Sequence, residues 1–363
     1  MADVRLTQRA RAGMQFLGML RAIASSDLRD QAREEFFANE RAAPLVEATR
    51  REPDAPVSTW MKRVRQASFV AGESEAYRHE RFYQGVGGRE IFVRGICAIE
   101  ECRDQLAKAA PPDTGSRLDL DPTVVPPGFW HTEWHTMPGG WDGYDLYGPM
   151  FQHVITPHVF RYGGYAVVET GQSRSLSREK SLALLPRRRY ERIYEVGCGS
   201  GANLLAARRL FPDAELIGSD VSAVQLRQGH ATSERLGAGV VFKQRLADQT
   251  REPDASIDLV ISYAFFHELP RHSTLAVLRE MKRVLRPGGV CLITDAPPFR
   301  AVDLFQAVIM DWETRNHDEP YFSISCASNW AKELRDLGFV DVAEHGLGER
   351  NAYPYVTVAT KPS

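Results

Sequence analysis

Between Val4 and about Thr49 apolar residues recur at three- and four-residue intervals, with Leu6, Phe16, Leu17, Leu20 and Ile23 separated by charged positions. That spacing predicts helix rather than strand. Ser25, Ser26 and Asp27 interrupt the pattern and predict a break that caps a second helix through Phe36 and Phe37. Further helices are predicted over Trp60 to Phe69, capped by Ser58 or Thr59, and over Glu73 to Tyr83. Gly85, Gly87 and Gly88 predict a turn before an apolar helix from Ile91 to Leu106, and the proline-rich stretch Ala109 to Pro127 predicts a connector.

Near residue 170 the pattern changes. A helix over Ser173 to Leu185 is followed by short apolar runs alternating with helical stretches: Arg192 to Val196, Glu215 to Ser219, Phe242 to Asp248, Ser256 to Ser262 and Val290 to Thr294. Such alternation predicts parallel strands joined by crossover helices. After Pro297 and Pro298 come a helix over Val302 to Thr314, a loop over Asn316 to Ile324 and a helix over Trp330 to Leu337, capped by Ser328. Val340 to Val342 and Tyr355 to Ala359 read as two closing strands.

One junction carries chemistry. Tyr194-Glu195-Val196-Gly197-Cys198-Gly199-Ser200-Gly201 joins a strand to the helical run from Ala202 to Phe211. The glycines let a ligand approach the backbone, and a helix N-terminus offers unpaired N–H groups to a small anion. Further on, Asp220 ends the second strand, Ala247-Asp248 the third, and Leu285-Arg286-Pro287-Gly288-Gly289 stops a helix before the fifth.

In this order the motifs resemble the class I S-adenosylmethionine-dependent methyltransferase family, over roughly Tyr190 to Ala296. The spacing Gly-x-Gly-x-Gly differs from the Gly-x-Gly-x-x-Gly of nicotinamide-binding turns. The resemblance implies an α/β fold: a Rossmann-like seven-stranded sheet, mostly parallel with a C-terminal antiparallel hairpin, preceded by a mainly helical N-terminal domain. The expected division is 1–170 and 171–363. It also implies S-adenosylmethionine as cofactor and S-adenosylhomocysteine as product. Glu195, Gly197, Gly199 and Gly201 are assigned to its amino-acid moiety, Asp220 to the ribose, Val221 to the adenine face, and Ala247 with Asp248 to the adenine.

Methyl transfer needs an aligned nucleophile and, where the nucleophile carries a proton, a base. His267 follows the fourth strand in Tyr263-Ala264-Phe265-Phe266-His267-Glu268-Leu269 and is the candidate base, with Glu268 to orient it or to face solvent. Residues 128–164 are dense in aromatic rings and contain His131, His135, His153 and His158. Candidate pocket residues are Trp134, Trp141 and Tyr144 from this segment, with Tyr263, Phe265, Phe299, Trp312 and Tyr321. The same rings could instead plug a domain seam or form a subunit interface. His131 and His135 would share a helical face, but Pro138, Gly139 and Gly140 follow at once, so no metal is expected.

Composition narrows the partners. A formal net charge of −2 over 363 residues, with no dense basic stripe, disfavours nucleic acid. No apolar run could span a bilayer, and five scattered cysteines fit a reducing, cytoplasmic setting. The expectation is a small-molecule O-methyltransferase for an aromatic or apolar acceptor, acting as a homodimer. C- or N-methylation, non-methylating chemistry at the same donor site and a non-catalytic binding protein are the alternatives.

Overall fold

The computed structural model describes residues 4–109, 117–164, 166–168, 171 and 174–363. Its sheet contains β1 (Leu118–Asp119), β2 (Arg192–Val196), β3 (Glu215–Asp220), β4 (Val241–Gln244), β5 (Ile257–Tyr263), β6 (Leu285–Asp295), β7 (Val340–Gly346) and β8 (Tyr355–Thr360) in the order β1-β4-β3-β2-β5-β6-β8-β7. Strands β1 to β6 pair in parallel, while β8 runs antiparallel to both β6 and β7. Seven strands match the expected layout. The eighth, two-residue β1, comes from the stretch read as a connector and adds to the edge at β4.

Chain order reverses between β2 and β5, so loops at their C-terminal ends open onto a crevice. All seven residues of β5 are buried, as expected for the middle of a sheet covered on both faces. Asp258 ties it to β2, its oxygens accepting the backbone N–H groups of Glu191 and Arg192, both at 2.7 Å. Strand β6 begins at Leu285, so the Arg-Pro-Gly-Gly closure lies inside its first residues rather than in a turn before Val290.

The N-terminal region is helical and departs from expectation in two places. Ala24–Leu28 is a π-turn that carries the first helix into the second; Ser25 and Ser26 return their hydroxyls to carbonyls three residues back, so no cap forms. Gly85, Gly87 and Gly88 make no turn but lie within one helix, Glu75–Glu100. Their smallness serves close approach: a Cβ at Gly87 would come within 2.7 Å of the Arg21 side chain, and one at Gly88 within 2.3 Å of His317.

Helix Leu304–Asn316 joins these helices to the sheet. Phe305, Val308 and Ile309 share a buried cluster with Phe36, Trp60, Val64 and Tyr77. Beside it lies an ionic network. Glu80, fully buried, accepts from Arg29 at 2.7 Å and pairs with Arg81; Arg81 also stands 3.9 Å from Glu313, which pairs with His317. Burial opposes the Glu80 charge, yet the two guanidinium groups hold its carboxyl below the ordinary range. Removing a buried partner strands the remaining charges, so Glu80→Ala should cost about 3–5 kcal/mol in urea unfolding. A loss below about 1 kcal/mol, the scale of a surface pair, would contradict that role.

Candidate functional site

The turn after β2 is shaped by tight packing. At Gly197 φ is +61° and a Cβ would approach the Phe265 ring to 2.3 Å, so both backbone sign and space require glycine. At Gly199, by contrast, a Cβ would meet nothing within 4 Å. Gly201, in the left-handed conformation, precedes helix Ala202–Leu210. Glu195 is 1 % exposed; Asn203 donates to its Oε1 at 3.0 Å, while Oε2 has no hydrogen-bond partner among the described residues. Burial pushes this carboxyl up to about 8.

Asp220 ends β3 and braces the turn. Its Oδ2 accepts the Gly199 N–H and its Oδ1 the Ser222 N–H, each at 2.9 Å. Burial pushes it up to about 6, with the Asp142 charge adding to the effect. Ala247 and Asp248 follow β4 in a turn closed by the Leu246–Gln249 bridge, so the strand is shorter than its expected run to Asp248.

Glu195, Gly197, Gly199, Asp220, Val221, Ala247 and Asp248 line one cavity of about 760 Å3; Gly201 lies behind it, facing Phe242. The aromatic segment supplies another wall. Trp134, Trp141, Tyr263 and Phe265 line the cavity, joined by Phe92, Trp130, Tyr147 and Phe151. Asp142 pins this segment to the turn after β3, its Oδ1 accepting from Ser222 Oγ at 2.5 Å and its Oδ2 from Trp130 Nε1 at 3.0 Å. Arg178, on helix Arg174–Leu182, also lines the cavity and lies over the Tyr263 ring.

Four expected pocket residues sit elsewhere. Phe299 is fully buried in the core, its ring 6.0 Å from that of Trp60. Trp312 packs under the Arg81 guanidinium at 4.7 Å and against His317. Tyr144 points its hydroxyl to Glu100, and Tyr321 packs behind the wall on Phe129 and Trp134. An aromatic side chain fits a core as well as a pocket, and residue type alone does not separate the two.

His267 follows β5, with its Nδ1 2.5 Å from Asp295 Oδ1, so the orienting carboxylate is Asp295 at the end of β6 rather than Glu268. Glu268 lies on the other side, its Oε1 3.4 Å from His267 Nε2 and 3.4 Å from His135 Nε2. His135 completes the chain through Nδ1, 2.7 Å from Glu319 Oε1. Burial opposes charge on His267, but Asp295 and Glu268 prevail and hold its proton well above the ordinary imidazole range. With no cation beside it, an imidazole between two carboxylates favours its protonated form, unlike the free base that its position in the sequence suggests. His131, the expected companion of His135, is exposed.

Sequence reasoning missed Asp142, Asp295 and Glu319. Asp295 had a readable signal, since it ends a strand as Asp220 does. Asp142 and Glu319 lie in irregular stretches where no period places a side chain.

With this geometry in place, comparison with known proteins is informative. The profile of a family described as "Methyltransferase domain" matches residues 193–289, from β2 into β6. This segment is a class I, S-adenosylmethionine-dependent methyltransferase domain. The chain is 33 % identical over 138 residues to a fatty-acid O-methyltransferase of Mycolicibacterium smegmatis, covering 37 % of this chain and 45 % of that protein. It is 34 % identical over 111 residues to a trans-aconitate 2-methyltransferase of Deinococcus radiodurans, covering 31 % and 40 %. The solved apo structure of the methyltransferase SibL aligns with 52 % of this chain and 56 % of its own, at 22 % identity and a TM-score of 0.41. The chain thus spans about half the length or less of these two curated relatives.

The residues present fit the cofactor that the family implies. An unpartnered buried oxygen on Glu195, the open space at Gly199 and the half-buried Asp220 and Val221 all face the same cavity. A pH prediction follows from Glu195. Its folded value of about 8 lies above the ordinary 4.5, so the folded protein binds the extra proton. This contribution to stability is complete below about pH 4.5 and is lost as pH rises through about 8. Relative to Glu195→Gln, the wild type should therefore lose melting temperature between pH 5 and 8. Parallel melting curves across that range would refute the assignment.

Proposed function

We propose that the chain methylates a small, predominantly apolar metabolite, with a hydroxyl oxygen as the favoured acceptor. The observation that carries this reading is that the donor-turn residues and the aromatic segment line one and the same cavity. Its volume suits a cofactor together with a small acceptor.

In this reading Glu195 Oε2 receives the donor's ammonium group, Asp220 its ribose hydroxyls, and Val221 with Ala247 flank the adenine. When bound, S-adenosylmethionine supplies an electrophilic methyl group on a sulfonium. The chain's own task is orientation. Trp134, Trp141 and Phe265 exclude water and hold a flat or apolar body, while Glu268 Oε2, buried and without a hydrogen-bond partner among the described residues, can accept a hydrogen bond from an acceptor hydroxyl. The acids in the names of the curated relatives make carboxylate oxygen a second acceptor to test. Three carboxylates around the His267 cluster favour a neutral hydroxyl over an anion.

Binding of S-adenosylmethionine by calorimetry, followed by mass spectrometry of products from a panel of phenols, fatty acids and amines, tests the proposal. The expected outcome is donor binding and a product heavier by one methyl in place of hydrogen. Asp220→Ala should weaken donor binding about 10- to 100-fold, and Asp220→Asn, which keeps one acceptor oxygen for the turn, should weaken it less. Donor affinity unchanged in both variants would remove Asp220 from the donor site.

A further inference from the structure

Three side chains converge in the cavity from separate elements: His267 and Glu268 from the turn after β5, and Glu319 from the segment before helix Phe322–Ala327. Each offers one ligand atom, and these atoms lie within 4.8 Å of one another. A tetrahedral ion at the roughly 2.0–2.2 Å bond lengths of imidazole nitrogen and carboxylate oxygen needs ligand atoms about 3.3–3.6 Å apart, so side-chain adjustments of about 1 Å would close the shell. His135 joins the group from the aromatic segment, through the contacts to Glu268 and Glu319 given above.

We infer that His267, Glu268 and Glu319, with His135 beside them, form a binding site for a divalent first-row transition cation. Two observations independent of the clustering point to a ligand. First, Glu319 Oε2 and Glu268 Oε2 are buried without hydrogen-bond partners among the described residues, and the Glu319 side chain is only 8 % exposed. A buried carboxylate oxygen left unpaired is costly, and a cation satisfies both at once. Second, His267 already has the outer support of a metal-bound imidazole, because Asp295 holds its Nδ1 and leaves Nε2 for the ion. The backbone around His135 adds to the picture. His135 and Thr136 have φ of +57° and +60°, two successive residues other than glycine in the left-handed region, where strain costs about 1–3 kcal/mol each. That conformation sets the His135 ring between Phe92 and Trp141.

The competing account keeps both imidazoles protonated as internal counter-ions to the three carboxylates. It explains the contacts to Asp295, Glu268 Oε1 and Glu319 Oε1 but leaves Glu319 Oε2 without a partner among the described residues. Two imidazoles with two carboxylates favour zinc, cobalt, manganese or iron(II) over magnesium or calcium, which prefer oxygen-only shells. The consequence for the acceptor, acidification of a hydroxyl bound to the ion, rests on the proposed function; the binding itself does not.

The test uses the metal-stripped full chain without donor or acceptor. Cobalt(II) chloride is titrated and followed by visible absorption, and zinc is titrated by calorimetry. One equivalent per chain is expected, with cobalt bands that report nitrogen ligation. Glu319→Gln and His267→Gln should each lower affinity about tenfold or more, and Asp295→Asn about 10- to 100-fold through loss of imidazole support. Far-UV circular dichroism and unchanged donor affinity in Glu319→Gln exclude misfolding as the cause. Absence of stoichiometric binding by the wild type, or affinity unchanged in the variants, overturns the inference. Metal binding without methylation would instead count against the proposed function alone.

Discussion

The hydrogen bond from Ser222 to Asp142 ties two walls of the cavity to each other. Ser222 caps the helix Ala223–Leu236 that follows the donor strand, and Asp142 belongs to the aromatic segment. The same carboxylate holds the Trp130 indole and raises the proton affinity of Asp220. Through this residue the aromatic wall is fixed to the donor half of the site, and the arrangement on one side is felt electrostatically on the other. A second polar contact joins the same two elements, since Gln152 of the aromatic segment accepts from Thr232 Oγ1 of that helix at 3.0 Å.

Electrostatics in the cavity follow from burial. Glu195 and Asp220 are pushed toward their protonated forms because water is excluded and little positive charge faces them. Around His267 the balance is reversed, since carboxylates and imidazoles face one another at hydrogen-bond range. The result is a cavity whose Glu195 and Asp220 end favours neutral carboxyls and whose His267 end is internally paired. Such separation of neighbouring acids by their surroundings is a recurrent way for one fold to host several roles.

Legibility in the sequence tracked how local each signal is. The bounds of β2 and β3 were readable because a short apolar run ending in glycine or aspartate is a local signature. The N-terminal glycines were misread because their reason is distant: Arg21 and His317 need room against Gly87 and Gly88, and no spacing within the helix announces them. Phe322–Ala327 is too short to show a helical period and was read in part as loop, whereas Glu319 does lie in loop, where no period places its side chain. The glycine turn and the strand-ending Asp220 were therefore visible, whereas the placement of Asp142 and Glu319 required the chain to be folded. Asp295 marks the boundary between the two, visible at a strand end yet without meaning until His267 is placed beside it.

The central claim is that donor turn and aromatic segment form one cavity joined through Asp142. Hydrogen exchange of the full chain with and without S-adenosylhomocysteine tests it most directly. The account predicts slowed exchange around Gly197 to Asn203 and also across Trp130 to Phe151, with the second effect lost in Asp142→Ala. Protection confined to the donor turn in the wild type would contradict it.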